Sequence, residues 1–414
     1  MGRSRTLDAA IDEVVRTGNC SGCGACALLD GGVSMELSAD GYARPRRTSG
    51  TPTSDAVPLF DTACPGRRVT AARPAGATRH PTMGPVSAAW AASAADPEIR
   101  HRGSSGGAIT ALTTWLLERG EAAVVVGARA DAQEPRRTVS LTLQTREEAL
   151  ASAGSRYAPT SSASLAAGRD PKAAVVGKPC EVSALRALAR DEADAPLLIS
   201  FFCAGTPSQT ATDSLVEQLG MPRQAPLRDL WYRGRGWPGR FTAVGTGGEE
   251  VSASYDESWG AHLGPTTQWR CKVCPDGVGE HSDITAADFW RSDERGYPVF
   301  AEEDGVSALI ARTRRGADVI ARAIASGVLR AEPLDVDELA RVQPLQVKRR
   351  TTLLARLLGA RAAGRPVPRY RGFGLFRFAL AHPRETLRTA RGTLRRVRRE
   401  RGREQPMPSE AVSR

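Results

Sequence analysis

Apolar residues along this chain follow two periods, and the switch between them divides it. Thr6 to Thr17 carries a helical repeat, and Val33 to Leu37 reads as a short strand. The stretch from there to Cys64 is rich in Gly, Pro, Ser and Thr, and Ala71 to Pro85 reads as a linker. From Val86 strand-length apolar runs alternate with helical patterns, which argues for an α/β fold. Strands are expected at Val86–Ala92, Ala122–Ala128, Val139–Leu143, Ala173–Val176 and Leu197–Phe202. Helices are expected at Ala108–Arg119, Arg146–Ala153, Glu181–Arg190 and Ser208–Leu219. Antiparallel strands follow at Phe241–Gly245 and Glu250–Ser254, then a last strand and helix at Val306–Arg312 and Ala317–Ala325. From Val336 the pattern is helical and ends in an arginine-rich tail. Three units are thus expected: a small module over residues 1–80, a mixed α/β domain over 86–340, and a helical then basic segment over 341–414.

A chain of 414 residues can fill two or three domains. No apolar run approaches the roughly 20 residues of a membrane span, and Met1 to Thr17 lacks the apolar core of a signal peptide, so a cytoplasmic location is expected. The formal charge of +11 suggests an acidic partner or surface. Much of it is local: Lys348 to Arg403 holds eighteen Lys and Arg against two Glu. A membrane-surface helix with Leu375, Phe376, Phe378, Ala379 and Leu380 on one side is one reading, peripheral at the inner membrane surface. A disordered basic tail is the other. Nucleic acid is disfavoured, because no recognised module is present and aromatics for stacking are sparse.

The cysteines carry the chemistry. Disulfide frameworks belong to small, cysteine-dense secreted chains, so reduced thiols acting as metal ligands account better for eight cysteines in a chain this long. Cys20, Cys23 and Cys26 are interleaved with small residues, and such a tight loop can point three sulfurs at one inorganic cluster, as in ferredoxins. Cys64, followed by Pro65, is the expected closing ligand. Zinc competes, although zinc cysteines usually come as two separated C-x-x-C hooks. Cys180 and Cys203 each end a strand, where open α/β sheets place their ligands. Cys271 and Cys274 form a second C-x-x-C that alone would suit a redox dithiol or half a zinc site. These last four, taken as a second four-thiolate site, use up all eight cysteines.

Other candidates are weaker by themselves. The loop His101 to Gly107 offers backbone N–H groups to a phosphate at a helix start, but a plain N-cap turn explains it as well. Arg156 and Tyr157 suit a phosphate and a stacked ring, yet both are commonplace in loops. Asp283 and Asp288 fit caps and turns better than an acid/base pair.

In order along the chain, Cys20 to Cys26, Ser104-Ser105-Gly106-Gly107, Gly154-Ser155-Arg156-Tyr157, Val176 to Cys180, Phe202 to Gly205, Arg233 to Trp237, and Cys271 to Cys274 with Asp283-Ile284 resemble the coenzyme F420 hydrogenase/dehydrogenase beta-subunit family. The resemblance implies a small ferredoxin-like cluster module, a mixed α/β flavin-binding domain and, outside it, the basic tail. It implies FAD contacts from Ser104, Ser105, Gly106, Gly107, Ser155, Arg156, Tyr157 and Lys178. It also makes Cys180, Cys203, Cys271 and Cys274 the ligands of a 4Fe-4S cluster near the flavin. Where some relatives carry a two-cluster ferredoxin repeat this chain has one cysteine run, so two 4Fe-4S clusters are expected in total. The implied activity is hydride exchange between coenzyme F420 and FAD, with single electrons relayed through both clusters to a partner oxidoreductase subunit; no catalytic side chain is named. In the rival scheme a ferredoxin-like donor supplies the electrons and FAD delivers hydride to an organic substrate. A zinc-stabilised basic binding protein is the alternative of another class.

Overall fold

Eight strands form one mixed sheet in the computed structural model, which describes residues 5–290 and 305–404. They are β1 (Ala88–Ala94), β2 (Val124–Ala130), β3 (Thr138–Leu143), β4 (Ala173–Gly177), β5 (Leu197–Phe201), β6 (Ile284–Asp288), β7 (Ser307–Ala311) and β8 (Leu329–Pro333). Their order in space is β8, β1, β7, β6, β5, β4, β2, β3. The run β6, β5, β4, β2 is parallel, and antiparallel strands complete both flanks. All five residues of β7 are buried, as a strand covered on both faces requires.

The two faces are covered differently. Side chains alternate along a strand, so Val125, Ala174 and Ile199 point one way and their neighbours Val126, Val175 and Leu198 the other. The first set packs on Leu112, Trp115 and Leu116 of one helix (Ala108–Glu118) and on Val319 and Ile320 of another (Arg314–Ala325). The second set packs on Val182, Leu185 and Leu188 of the helix Pro179–Leu188, and on Cys23 and Ala25 of the N-terminal cysteine loop. That loop is therefore part of the layer that closes the sheet.

Local composition concealed several elements. The Gly/Pro-rich stretch before Cys64 holds a strand, Ala43–Arg47, paired with Val33–Leu37, and the helix Val57–Ala63. Around them Leu7, Ala10, Ile11, Val14, Val33 and Phe60 form a small core. Within the expected linker, Thr78–His80 pairs with Gly84–Val86, and Met83 is fully buried. The buried guanidinium of Arg312 donates to the carbonyls of Met83 and Pro85 at 2.5 and 2.8 Å, so a distant cation holds this segment. A three-stranded antiparallel sheet joins the two expected strands to Leu227–Trp231.

The C-terminal segment is helical as far as it is described. Helices run at Pro344–Thr351, Leu353–Ala362, Leu375–Ala381 and Pro383–Glu404. A Cβ at Gly359 would stand 2.3 Å from the Ala390 carbonyl, so glycine lets the second and fourth of these helices cross in backbone contact. Arg369–Arg371 adds a short parallel strand to Arg68–Thr70 of the N-terminal module. Among the described residues no helix is long and apolar enough to cross a membrane.

Candidate functional site

Cys20, Cys23, Cys26 and Cys64 line one cavity of about 30 Å³, whose other walls include Ile11, Val14, Met35 and Phe60. Small residues are needed between these cysteines. Gly22 and Gly24 have φ of 71° and 92°, and a Cβ would meet the Ala43 carbonyl at 2.8 Å in the first case and Ser164 at 2.8 Å in the second. Cys64 caps the helix Val57–Ala63 and so comes back to the loop. Burial pushes the Cys23 thiol up to about 11, and burial reinforced by neighbouring thiols raises Cys26 and Cys64. At Cys20 burial again dominates, opposed by Arg44. Among the described residues no three His, Cys, Asp or Glu side chains stand close enough to share one metal ion. Four cysteines lining one cavity are instead a donor set suited to a body with several corners such as a cubane cluster.

The second four cysteines gather at the carboxyl ends of the parallel strands. Cys180 lies in the first turn of the helix after β4, and Cys203 follows β5 with its N–H on the Gly277 carbonyl at 2.8 Å. The Thr206 N–H points at Cys271 Sγ, 3.4 Å away, and a Cβ at Gly205 would touch Cys271 Cβ at 3.3 Å. Burial pushes the Cys203 thiol up to about 12, with Cys271 next in effect and Arg349 opposing. Burial also raises Cys180, which feels the charges of both Cys203 and Cys23.

The two sets touch. Cys180 packs in the same apolar cluster as Cys23. Gln268 donates to the Ser21 carbonyl at 2.9 Å, and Arg270 donates twice to the Pro65 carbonyl, at 3.2 and 2.9 Å. Arg270 is 2 % exposed and lies within electrostatic reach of Cys274, Cys180 and Cys20.

The basic C-terminal segment clasps this junction. Arg349 donates to the carbonyls of Cys203 and Ala204 at 2.8 and 2.5 Å, and Gln346 joins it on Cys203 at 3.2 Å. Tyr370 donates to the Val273 carbonyl at 2.8 Å. Arg350 pairs with buried Glu280 at 2.6 Å. Part of the positive charge read from the sequence as surface is thus internal.

The loops expected to hold flavin meet at the same edge of the sheet. Ser104 Oγ and Ser155 Oγ are 2.7 Å apart, and the loop Ser104–Gly107 opens the helix Ala108–Glu118. Ser105 Oγ donates to the Val306 carbonyl at 2.7 Å, and the Gly106 N–H to Ser307 Oγ at 3.0 Å. Arg233, buried between the rings of Trp237 and Tyr255, donates to the Ser104 carbonyl and pairs with Asp288 at 2.6 Å.

Arg156 and Lys178 are engaged inside the protein. The Arg156 guanidinium donates to Thr138 Oγ1 and to the carbonyls of Pro135, Arg137 and Leu230. Lys178 donates to Thr160 and pairs with Glu181 at 2.8 Å. Burial works against its charge, but Glu181 and Cys180 outweigh that and leave its pKa raised. Tyr157 packs among Trp259, Tyr232 and Tyr255. Asp283 and Asp288 lie near opposite ends of β6, so they form no acid/base pair. Asp283 is a buried acceptor for Arg186, Arg315, Thr313 and the Leu198 N–H, and only Asp288 faces the site.

Comparison with known proteins assigns this architecture. A model described as coenzyme F420 hydrogenase/dehydrogenase beta subunit N-term matches residues 89–166, and its C-terminus counterpart matches 170–337. The chain belongs to this family. Among F420 hydrogenase beta-subunit relatives, the coenzyme F420 hydrogenase subunit beta of Methanococcus voltae is 26 % identical over 301 residues, covering 69 % of this chain and 99 % of that protein. The same subunit of Methanothermobacter thermautotrophicus is 24 % identical over 290 residues, covering 66 % and 94 %. A chain from the F420-reducing [NiFe] hydrogenase complex of Methanosarcina barkeri superposes with a TM-score of 0.51 at 21 % identity, over 67 % of this chain and 95 % of the other. That likeness carries the mixed α/β fold.

An F420 hydrogenase/dehydrogenase beta-subunit chain is an oxidoreductase component, and the relatives named here are subunits of hydrogenases. The two family models span 89–337, so the first cysteine loop and the C-terminal helices lie outside them. Residues that the sequence left without a role are Gln268, Arg270, Gln346 and Arg349, and Asp288, read there as a cap or turn residue, is instead the partner of Arg233. Arg233 lies in the Arg233–Trp237 stretch that resembles the family, and that is its one signal in the sequence. Gln268, Arg270, Gln346 and Arg349 join segments 143 to 247 residues apart, and no local pattern marks them.

Proposed function

We propose that this chain exchanges hydride between coenzyme F420 and a bound FAD and passes single electrons through two 4Fe-4S clusters to a partner oxidoreductase subunit. The observation that carries this reading is that the joined cysteine sets and the Ser104, Ser155 and Arg233 loops lie at the same carboxyl end of the parallel strands, where Cys180 and Cys203 follow β4 and β5 and Arg233 pairs with Asp288 at the end of β6. Flavin supplies the two-electron step when bound, and cubane clusters supply one-electron transfer.

The residues would divide the work. Cys20, Cys23, Cys26 and Cys64 hold one cluster in an apolar cavity. Cys180, Cys203, Cys271 and Cys274 hold the other. Ser104, Ser155 and the Gly107 N–H hold the flavin at a helix start where N–H groups suit a phosphate, while Ser105 and Gly106, bonded to Val306 and Ser307, anchor the loop. Arg233 fixes the Ser104 carbonyl, while Arg156, Tyr157 and Lys178 keep their loops in shape from behind. No side chain has to act as an acid or base.

Anaerobic stopped-flow mixing with reduced F420 tests the reading. Flavin absorbance should bleach first and cluster absorbance should follow. A flavin that stays oxidised defeats the F420 step and leaves the ferredoxin-driven scheme. Zinc without acid-labile sulfide in the purified protein would defeat both.

A further inference from the structure

The helix Pro383–Glu404 has two unlike sides. Thr393 and Val397 are buried, and the backbone near Ala390 lies against Gly359 of the helix Leu353–Ala362. The outward side is a stripe: Arg384, Arg388, Arg391, Arg395, Arg398 and Arg399 are exposed at spacings of three and four residues. At 1.5 Å per residue the stripe is about 22 Å long. Among the described residues none of these six arginines has an ion-pair partner.

Apolar side chains protrude at the start of this stripe. Phe376 is 74 % and Leu380 79 % exposed, one turn apart on the helix Leu375–Ala381, and Leu387 is 52 % exposed between Arg384 and Arg388. Seven large apolar side chains stand out on the described surface, and three of them, including the two most exposed, fall within residues 376–387. A merely solvated charge run would carry no such cluster. A nucleic acid would satisfy the arginines through its phosphates but leave Phe376 and Leu380 in water. A lipid surface takes both: phosphates for guanidinium groups, and the acyl boundary for the apolar tips.

We propose that this corner seats the protein on an anionic membrane surface, with the arginine stripe on lipid phosphates and Phe376, Leu380 and Leu387 inserted at the boundary. One basic patch or one apolar anchor alone binds weakly, and the two together give a usable affinity. The inward side of the long helix stays packed on the protein, so contact is peripheral and leaves the fold unchanged. This inference stands apart from the redox reading.

Co-sedimentation of the full chain with vesicles of phosphatidylcholine alone, or with one third phosphatidylglycerol, tests it. Pelleting is expected with the anionic vesicles only and should weaken with salt. At about five-fold per arginine, the triple variant R388Q/R391Q/R395Q should need on the order of 100-fold more lipid for half-binding. F376S/L380S should weaken binding by about ten-fold while keeping the salt dependence. All five positions are exposed, and unchanged circular dichroism would verify the fold. Absence of binding to anionic vesicles, or equal binding by all three proteins, overturns the proposal. Retention on heparin without vesicle binding also overturns it, in favour of an acidic macromolecule.

Discussion

The two cysteine sets contrast in how the chain holds them. The first is largely local: three cysteines within seven residues, two glycines that only a left-handed turn explains, and an apolar cavity closed by Cys64. The second is global, with cysteines from β4, β5 and the loop before β6 brought together by sheet topology and steadied by buried charges at Lys178, Glu181 and Arg349. A locally held site should fail locally. A site built from strand ends should fail together with the fold around it.

The largest effect that separates them is loss of a ligand. Cys23→Ser and Cys203→Ser should each lower iron from about eight to about four atoms per chain. The first variant should keep flavin reduction by F420 and lose onward transfer to a one-electron acceptor. The second should lose onward transfer too and should also melt earlier, since its loop anchors Arg349 and Gln346. Iron and sulfide assays, flavin bleaching and a melting curve check this. If Cys23→Ser also removed the second cluster, the contrast between local and global holding would collapse.

The next effect concerns the buried pair under Cys180. Lys178→Met leaves Glu181 charged and unpaired in the core, a loss of about 3 to 5 kcal/mol. Urea unfolding measures it, and Lys178→Met combined with Glu181→Gln should recover part. Direct flavin contact by Lys178 would instead show as weak flavin binding at near-normal stability.

The same contrast explains what was legible in the sequence. Cys20 to Cys26 announces itself by spacing, and the strands β4 and β5 by apolar runs that end at Cys180 and Cys203. Both readings need only neighbouring residues. The hairpin at Thr78–His80 was hidden because its support comes from Arg312, and the strand Leu227–Trp231 because Arg228 and Asp229 interrupt its apolar pattern. Arg156 looked like a phosphate ligand, but its four acceptors come from loops and strands that only the fold brings near. The basic tail misled in a similar way, since charge counts do not distinguish Arg349, which is buried, from Arg395, which is not.

Arg270 tests whether the two sets are electrically joined. One fixed charge shared between them favours the reduced, more negative state of each. Arg270→Gln should lower both midpoint potentials by on the order of 50 mV, taking about 1 kcal/mol at 59 mV per 1.4 kcal/mol for one electron. Arg270→Lys should restore part of the shift in an EPR-monitored titration. Movement of one potential alone would show that the guanidinium serves a single site.

The smallest effect lies where the first loop meets the sheet. Ser161 Oγ donates to the Gly22 carbonyl at 2.9 Å in a buried contact, and the next residue, Ser162, gives its N–H to Glu181 at 2.9 Å. One side chain thus docks the first set while its neighbour supports the second. Ser161→Ala removes the donor and leaves a buried carbonyl short of a partner, a loss of about 1 kcal/mol. Because Gly24 already lies against Ser164, the loop should stay in place but open more often. The expected readout is faster loss of half the iron to a chelator, with the other half released at the unmodified rate. Equal acceleration of both halves would mean that the sheet binds the two sets into one cooperative unit, and the local character assigned to the first would be wrong.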